Sequence, residues 1–226
     1  MTAPRSIAYR PEIDGLRAIA VIVVILFHGM VPGFRAGYIG VDMFFVVSGY
    51  LITGILVTEL AEGRFSILRF YERRIRRIIP ALMLVMLLSI PFALWLMLPD
   101  DLENFGQSLI GTTFFANNIL LLITTGYFGI EVQFKPLMHT WSLGVEEQYY
   151  LLVPLMMWVA WRLGKVRGVF IGIAAVTIVS FLACLVLARL STRADFLLIF
   201  SRGWELGAGS LAMLIEPRIR PLAGKR

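Results

Sequence analysis

The chain has a single cysteine, Cys184, in 226 residues, and it sits in an apolar run with no second thiol to meet. Intrachain disulfides and cysteine-based metal sites are therefore excluded, and Cys184 reads as an inert packing residue. Charge is also scarce. Only 16% of residues are Asp, Glu, Lys or Arg against 58% hydrophobic, and the mean hydropathy is +0.80. A soluble domain of this length rarely carries so little charge. Internal repeats, low-complexity stretches and a linker to a soluble domain are missing too. The net charge of +6 does not point to nucleic acid, because the basic residues gather at the ends of apolar runs and form no soluble basic face.

What is present is long apolar sequence. About seven segments approach the ~20 residues needed to cross a hydrocarbon core, near 15–32, 39–58, 78–98, 104–124, 142–161, 168–189 and 197–215. The fold expected is all-α, a polytopic transmembrane helix bundle, with residues 1–226 as one domain. The first segment starts late, contains Arg17 and lacks a small-residue cleavage pattern, so it reads as a persistent helix and not a signal peptide. Residues 59–79 hold Arg64, Arg69, Arg73, Arg74, Arg76 and Arg77 against Glu59, Glu62 and Glu72, which marks that loop as cytoplasmic. The N-terminus, two spans earlier, is then cytoplasmic as well. Asp100, Asp101 and Glu103, with no Lys or Arg beside them, suit the outer side. Arg162, Lys165 and Arg167 conflict with this count, since seven full spans would put them outside. Either the 104–124 segment, interrupted by Asn117 and Asn118, does not fully cross, or the charge rule fails at that short loop.

Polar residues inside the apolar runs are the candidate chemistry. Arg17 and His28 are eleven positions apart, which on a helix leaves them within about 20° of one face and about 16 Å apart in depth. Every residue between them is apolar, and a polar group ending such a run is costly unless it faces protein or water. Asp14 falls on the same face. The alternative is an anchored helix end plus a histidine bonded to a neighbouring helix. Asp42 enters the second span from the side where the first leaves near His28, so the carboxylate and the imidazole can approach. Ser48 and Gly49 read as a helix-packing notch. Within Phe70–Pro80, helical spacing aligns Arg73, Arg76 and Arg77 on one face and pairs Arg74 with Arg77. Such forks suit a phosphate-rich ligand, but taken alone the run is better explained by topology and anionic headgroups. His139, Ser142 and Glu146 share a stripe, but one helix rarely converges side chains into a hydrolase triad, and no nucleophile-elbow glycines flank Ser142. Glu146 and Glu147 remain as adjacent carboxylates at a span's start, with at least one expected to face the interior. Asp195 and Arg202 share a face, and Arg202 can pair with Glu205 at i, i+3.

Together these blocks resemble the membrane-bound acyltransferase-3 family, which includes bacterial O-acetylases of lipopolysaccharide and peptidoglycan. The resemblance runs in order through Tyr9-Arg-Pro-Glu-Ile-Asp-Gly-Leu-Arg17 to His28, Gly40-Val-Asp-Met-Phe-Phe-Val-Val-Ser-Gly-Tyr-Leu51 and Tyr71-Glu-Arg-Arg-Ile-Arg-Arg77. It continues through His139-Thr-Trp-Ser-Leu-Gly-Val-Glu-Glu-Gln-Tyr149 and Arg202-Gly-Trp-Glu-Leu-Gly207. It implies acetyl-CoA, or a related acyl-CoA, as a cytoplasmic donor substrate, a cell-envelope glycan hydroxyl as acceptor, and no permanently bound cofactor or metal. His28 would be the catalytic imidazole or acyl relay, Arg17 would help position the donor, and Asp42, Glu146 and Glu147 complete the expected catalytic set. Arg74 and Arg77, with Arg73 and Arg76, would hold the coenzyme A phosphates. The implied place is the bacterial cytoplasmic (inner) membrane, with lipid around the helices and no nucleic acid partner. Family members usually have about ten spans, so the chain is expected to be C-terminally truncated, without an SGNH domain, and a partner would supply the missing helices. A transporter or flippase, or an inactive remnant, are the competing readings.

Overall fold

The computed structural model describes residues 10–124 and 135–223, with side chains to residue 216. Tyr9, which opens the first sequence block, lies outside the described residues. The helices are α1 (Pro11–His28), α2 (Ile39–Ala61), α3 (Ile67–Leu96), α4 (Pro99–Thr113), α5 (Asn117–Thr124), α6 (Thr140–Leu190), α7 (Thr192–Leu197) and α8 (Ile199–Ala223). No strand occurs among the described residues, so the fold is all-α as expected. By length and composition α2, α3 and α6 are apolar enough to cross a membrane.

Several boundaries differ from the sequence reading for local reasons. The first helix ends at His28 and not at residue 32, because Gly29 caps it and Met30 (φ 53°) and Gly33 (φ 92°) turn the chain. The third begins at Ile67, where the Ser66 hydroxyl accepts from the Arg69 amide, so the arginine run lies wholly inside α3. The 104–124 segment is two helices, broken at Phe115 with φ 53°. Neither its 15-residue nor its 8-residue part reaches the ~20 residues of a span. The 142–161 and 168–189 segments are two arms of α6, which breaks at Gly164 and Lys165. A Cβ on Gly168 would meet the Ala160 carbonyl oxygen at 2.2 Å. In a straight helix residues eight apart are about 12 Å apart along the axis, so α6 folds back on itself as a hairpin.

The chain forms two compact units, Met1–Arg64 with Met156–Phe181 and Gly203–Arg226, and Phe65–Leu155 with Leu182–Arg202. In the first unit glycines bring backbones together. A Cβ on Gly37 would lie 2.2 Å from the Val23 carbonyl oxygen, and one on Gly40 2.5 Å from that of Ala20, so the start of α2 rests on the C-terminal half of α1. Gly49 abuts the Leu206 carbonyl and Gly209 that of Val46, while the Ser210 hydroxyl donates to the Gly49 carbonyl at 3.1 Å. The α2 and α8 axes thus approach through small residues, the usual device where lipid removes the hydrophobic drive between helices. Gly49 is the packing notch expected of it. Phe45, Leu56 and Leu206 fill the adjoining core and are fully buried.

In the second unit a buried amide network closes the α4–α5 break. Asn117 donates to the Leu137 carbonyl and the Thr140 hydroxyl, both at 2.8 Å, and Asn118 to the Leu197 carbonyl at 3.0 Å. Gln148 on α6 donates to the Phe115 carbonyl and to Asn118 Oδ1, at 3.1 and 2.9 Å. Gly144 leaves the room for this approach, since a Cβ there would meet Asn118 Oδ1 at 2.8 Å. Buried backbone that leaves a helix needs hydrogen-bond partners, and here side-chain amides supply them. Leu87, Leu94 and Trp95 on α3 are exposed, as lipid-facing residues are.

Candidate functional site

The expected site residues fall in both units, Arg17, His28 and Asp42 in the first, and Arg73, Arg74, Arg76, Arg77, Glu146 and Glu147 in the second. On α1, Arg17 Nη1 lies 3.7 Å from Asp14 Oδ1, the i, i+3 relation expected of them. His28 is the last residue of α1, and its Nδ1 is 2.9 Å from the Val24 carbonyl oxygen. A carbonyl only accepts, so Nδ1 is the donor in this bond. Phe27 meets the His28 ring edge-on at 5.1 Å and packs on Tyr38 at 5.8 Å, fixing the end of α1 against the approach to α2. Asp42 is half-buried in the first turn of α2, two residues past Gly40, which packs on Ala20, Val23 and Val24 of α1.

The arginine run divides by face. Arg74 Nη2 donates to Glu147 Oε1 at 2.7 Å, with side-chain exposures of only 17% and 14%. Its guanidinium also stacks on Tyr150, 3.8 Å from the ring centroid. The Tyr71 hydroxyl adds a bond to the Leu151 carbonyl, 2.9 Å. Arg73, Arg76 and Arg77 point outward and are exposed, and Arg76 pairs with Glu72 at 2.8 Å. Arg74, expected at the donor phosphates, and Glu147, expected in the catalytic set, are therefore partners. Glu147 is the inward-facing member expected of the Glu146/Glu147 pair, and Glu146 is half-buried.

Ser142 donates to the His139 backbone carbonyl at 3.4 Å, an ordinary helix-start bond that agrees with discarding the triad. Arg202 lies over Trp141 and Phe196, 5.9 and 5.6 Å from their centroids, while those rings sit 4.4 Å apart. Glu205 is buried, and Cys184 is half-buried on the second arm of α6.

Two groups escaped sequence reasoning. Arg10 donates to the Tyr50 hydroxyl at 2.7 Å and to both Glu216 oxygens at 3.0 and 3.2 Å, and Tyr50 donates to Glu216. This knot joins the start of α1 to α2 and α8. Its bond to Glu12, then the Glu216 carboxylate, hold the Arg10 guanidinium protonated more firmly than usual. No local signal links residues 206 positions apart. Lys135 is 5% exposed and donates to the Thr124 hydroxyl at 2.7 Å, and its burial lowers the ammonium pKa from the usual lysine value. A lone lysine in an apolar stretch was the available signal.

A family model described as Acyltransferase domain matches residues 10–225, and the chain belongs to that acyltransferase-3 family. O-acetyltransferase OatA of Staphylococcus aureus (strain NCTC 8325 / PS 47) is 34% identical over 181 residues, which are 80% of this chain and 29% of that protein. A putative O-acetyltransferase of S. aureus strain MSSA476 is 35% identical over 157 residues, 69% of this chain and 26% of that protein. The match thus spans under a third of these relatives' length. No solved structure matches the chain.

Proposed function

We propose that this chain is the membrane part of an O-acetyltransferase that moves an acetyl group from acetyl-CoA to a hydroxyl of a cell-envelope carbohydrate. The carrying observation is His28, whose Nδ1 bond to the Val24 carbonyl orients the imidazole at the end of an apolar helix. In the proposed step Nε2 takes the acceptor proton as the hydroxyl oxygen attacks the thioester carbonyl. The new C–O bond forms, the C–S bond breaks, and the coenzyme A thiolate leaves with the proton. Arg17, on the same helix, aids donor positioning, and Asp42 biases the imidazole. The outward-facing Arg73, Arg76 and Arg77 are suited to the donor phosphates, and Arg74 supports them through its bond to Glu147. The relatives' names agree with this chemistry. The proposed place is the inner membrane, with the N-terminus cytoplasmic and the acceptor outside.

His28→Ala should abolish transfer of radiolabelled acetyl groups to envelope glycan while membrane insertion stays normal. Wild-type transfer by that variant would overturn the role of His28. Measuring lipid translocation in the same proteoliposomes separates this reading from a transporter, which would move substrate without an acetylated product.

A further inference from the structure

The tip of the α6 hairpin lies wholly in the first unit and has no part in the acyl-transfer chemistry above. No acidic residue occurs between Glu147 and Asp195, yet Arg162, Lys165 and Arg167 crowd the turn, and all three are exposed. Among the described residues none of them is in an ion pair. Two of them lie over indole rings instead. The Arg162 guanidinium is 4.8 Å from the Trp158 ring centroid, and the Lys165 ammonium 5.8 Å from that of Trp161. Each cation thus covers the ring one helical turn before it, at i, i+4. A guanidinium over a ring keeps its N–H groups at the edge of its own plane, where they can donate to an oxyanion.

Lys165 also carries backbone strain. It holds φ 51° and ψ −138°, a positive-φ conformation that glycine adopts freely and lysine does not. The adjacent Gly164, at φ −152°, does not take that position. A side chain kept there points to a use for its charge. The cations are set in apolar surface, with Trp158 40%, Leu163 83% and Val166 40% exposed, and this surface continues onto Val159 and Ile171 of the two arms. A soluble anionic partner would leave that belt wet, whereas a bilayer covers it and presents phosphate at its edge. Tryptophan and basic side chains are the residues that gather at that boundary. We propose that the α6 tip is a docking surface for anionic phospholipid headgroups of the cytoplasmic leaflet, with Arg162, Lys165 and Arg167 on the phosphates and the two indoles just beneath them. The side follows from the positive charge. The span count that put this link outside needed 104–124 to cross, and its helices of 15 and 8 residues are too short for that. The surface does not depend on the acyl-transfer reading.

Lipid retention is measured by native mass spectrometry of the full chain in detergent, titrated with phosphatidylglycerol or with phosphatidylcholine of the same acyl chains. Phosphatidylglycerol should be retained at the lower concentration. Lys165→Gly should weaken its retention about fivefold, the loss expected for one cation at an anionic surface, while the thermal midpoint stays at or above wild type because the strain is relieved. Arg162→Gln/Lys165→Gly/Arg167→Gln should weaken it by at least about 25-fold, and Lys165→Gly alone keeps the test valid if the triple variant folds poorly. Equal retention of the two lipids, or unchanged phosphatidylglycerol affinity in Lys165→Gly, overturns the surface. Displacement of the lipid by inorganic phosphate would mark a soluble-anion site and overturn it as well. Sidedness is read on the Lys165→Cys/Cys184→Ser variant in sealed membrane vesicles with an impermeant maleimide. Inside-out vesicles should take the label, and labelling of right-side-out vesicles overturns the cytoplasmic placement.

Discussion

Removing one partner of the Arg74–Glu147 pair should be among the most damaging single changes in the second unit. At 2.7 Å and an effective dielectric near 20, Coulomb's law gives an attraction of about 6 kcal/mol before desolvation is counted. Burial offsets much of that, so the pair as a whole is worth far less than its attraction. A single truncation behaves differently. Arg74→Met strands a carboxylate that is 14% exposed, and breaking a buried pair this way costs about 3–5 kcal/mol. It also removes the stack on Tyr150, worth up to ~2 kcal/mol when desolvated. Glu147→Leu should cost a similar amount by stranding the guanidinium. The double variant Arg74→Met/Glu147→Leu removes both charges of the pair and should be more stable than either single one. The assay is thermal unfolding of the four proteins in one detergent, read as a double-mutant cycle. Simple additivity, or Arg74→Met unfolding within 1 °C of wild type, would refute the view that these side chains hold each other. In the same set Arg77→Gln should leave the thermal midpoint unchanged and raise the donor KM several-fold, because Arg77 is exposed.

Three further outcomes follow from the packing and the titratable groups. Gly209→Ala places a methyl 1.8 Å from the Val46 carbonyl oxygen, so α2 and α8 must part by about 1.5 Å to regain normal contact; unfolding should show a loss of about 1–3 kcal/mol, and wild-type stability would mean the helices are not in contact there. Asn118→Ala removes the donor to the Leu197 carbonyl and one partner of Gln148, which keeps its bond to the Phe115 carbonyl, at about 1–3 kcal/mol, with proteolysis near residues 114–116 as the readout. The Lys135 pKa lies below the ordinary 10.5, so the unfolded chain binds the extra proton between the two values and stability rises with pH across that window; the rise should vanish in Lys135→Met, and an identical pH profile for both proteins would contradict it.

Helical class and most segment positions were legible because an apolar run long enough to span a membrane has few other fates. The break in the 104–124 run was visible in Asn117 and Asn118, since two amides in succession are costly in lipid unless they bond to protein. Their partners were not visible. Leu197 and Gln148 reach Asn118 only through the tertiary fold, and periodicity identifies a face without identifying what covers it. The α6 hairpin was hidden for another reason. Gly164 and Lys165 sit in a short basic link that also fits an ordinary loop, and only the contact of Gly168 with Ala160 shows how tightly the arms turn. On the site side, the i, i+3 pairing of Asp14 with Arg17 came directly from helical geometry. The partner of Arg74, 73 residues away, and that of Arg10, 206 residues away, could not.

The sequence blocks that define the family mix two kinds of constraint, and the structure separates them. In Arg202-Gly-Trp-Glu-Leu-Gly207 and the following Ala-Gly-Ser, Gly207 faces the Thr177 hydroxyl and Gly209 the α2 backbone. Those glycines are fixed by how closely two helices must approach, whatever reaction the protein performs. In the arginine block the same separation falls between neighbours, since Arg74 is enclosed by Glu147 and Tyr150 while Arg73, Arg76 and Arg77 face outward. A variant at Arg74 or Gly209 that loses activity therefore reports on helix packing first, and thermal stability must be measured before the loss is assigned to chemistry. His28 differs because its Nδ1 bond is made to its own helix at Val24 and its side chain lies at the exposed end of α1. Loss of transfer without loss of stability in His28→Ala would be evidence of chemistry that neither Arg74 nor Gly209 variants can provide.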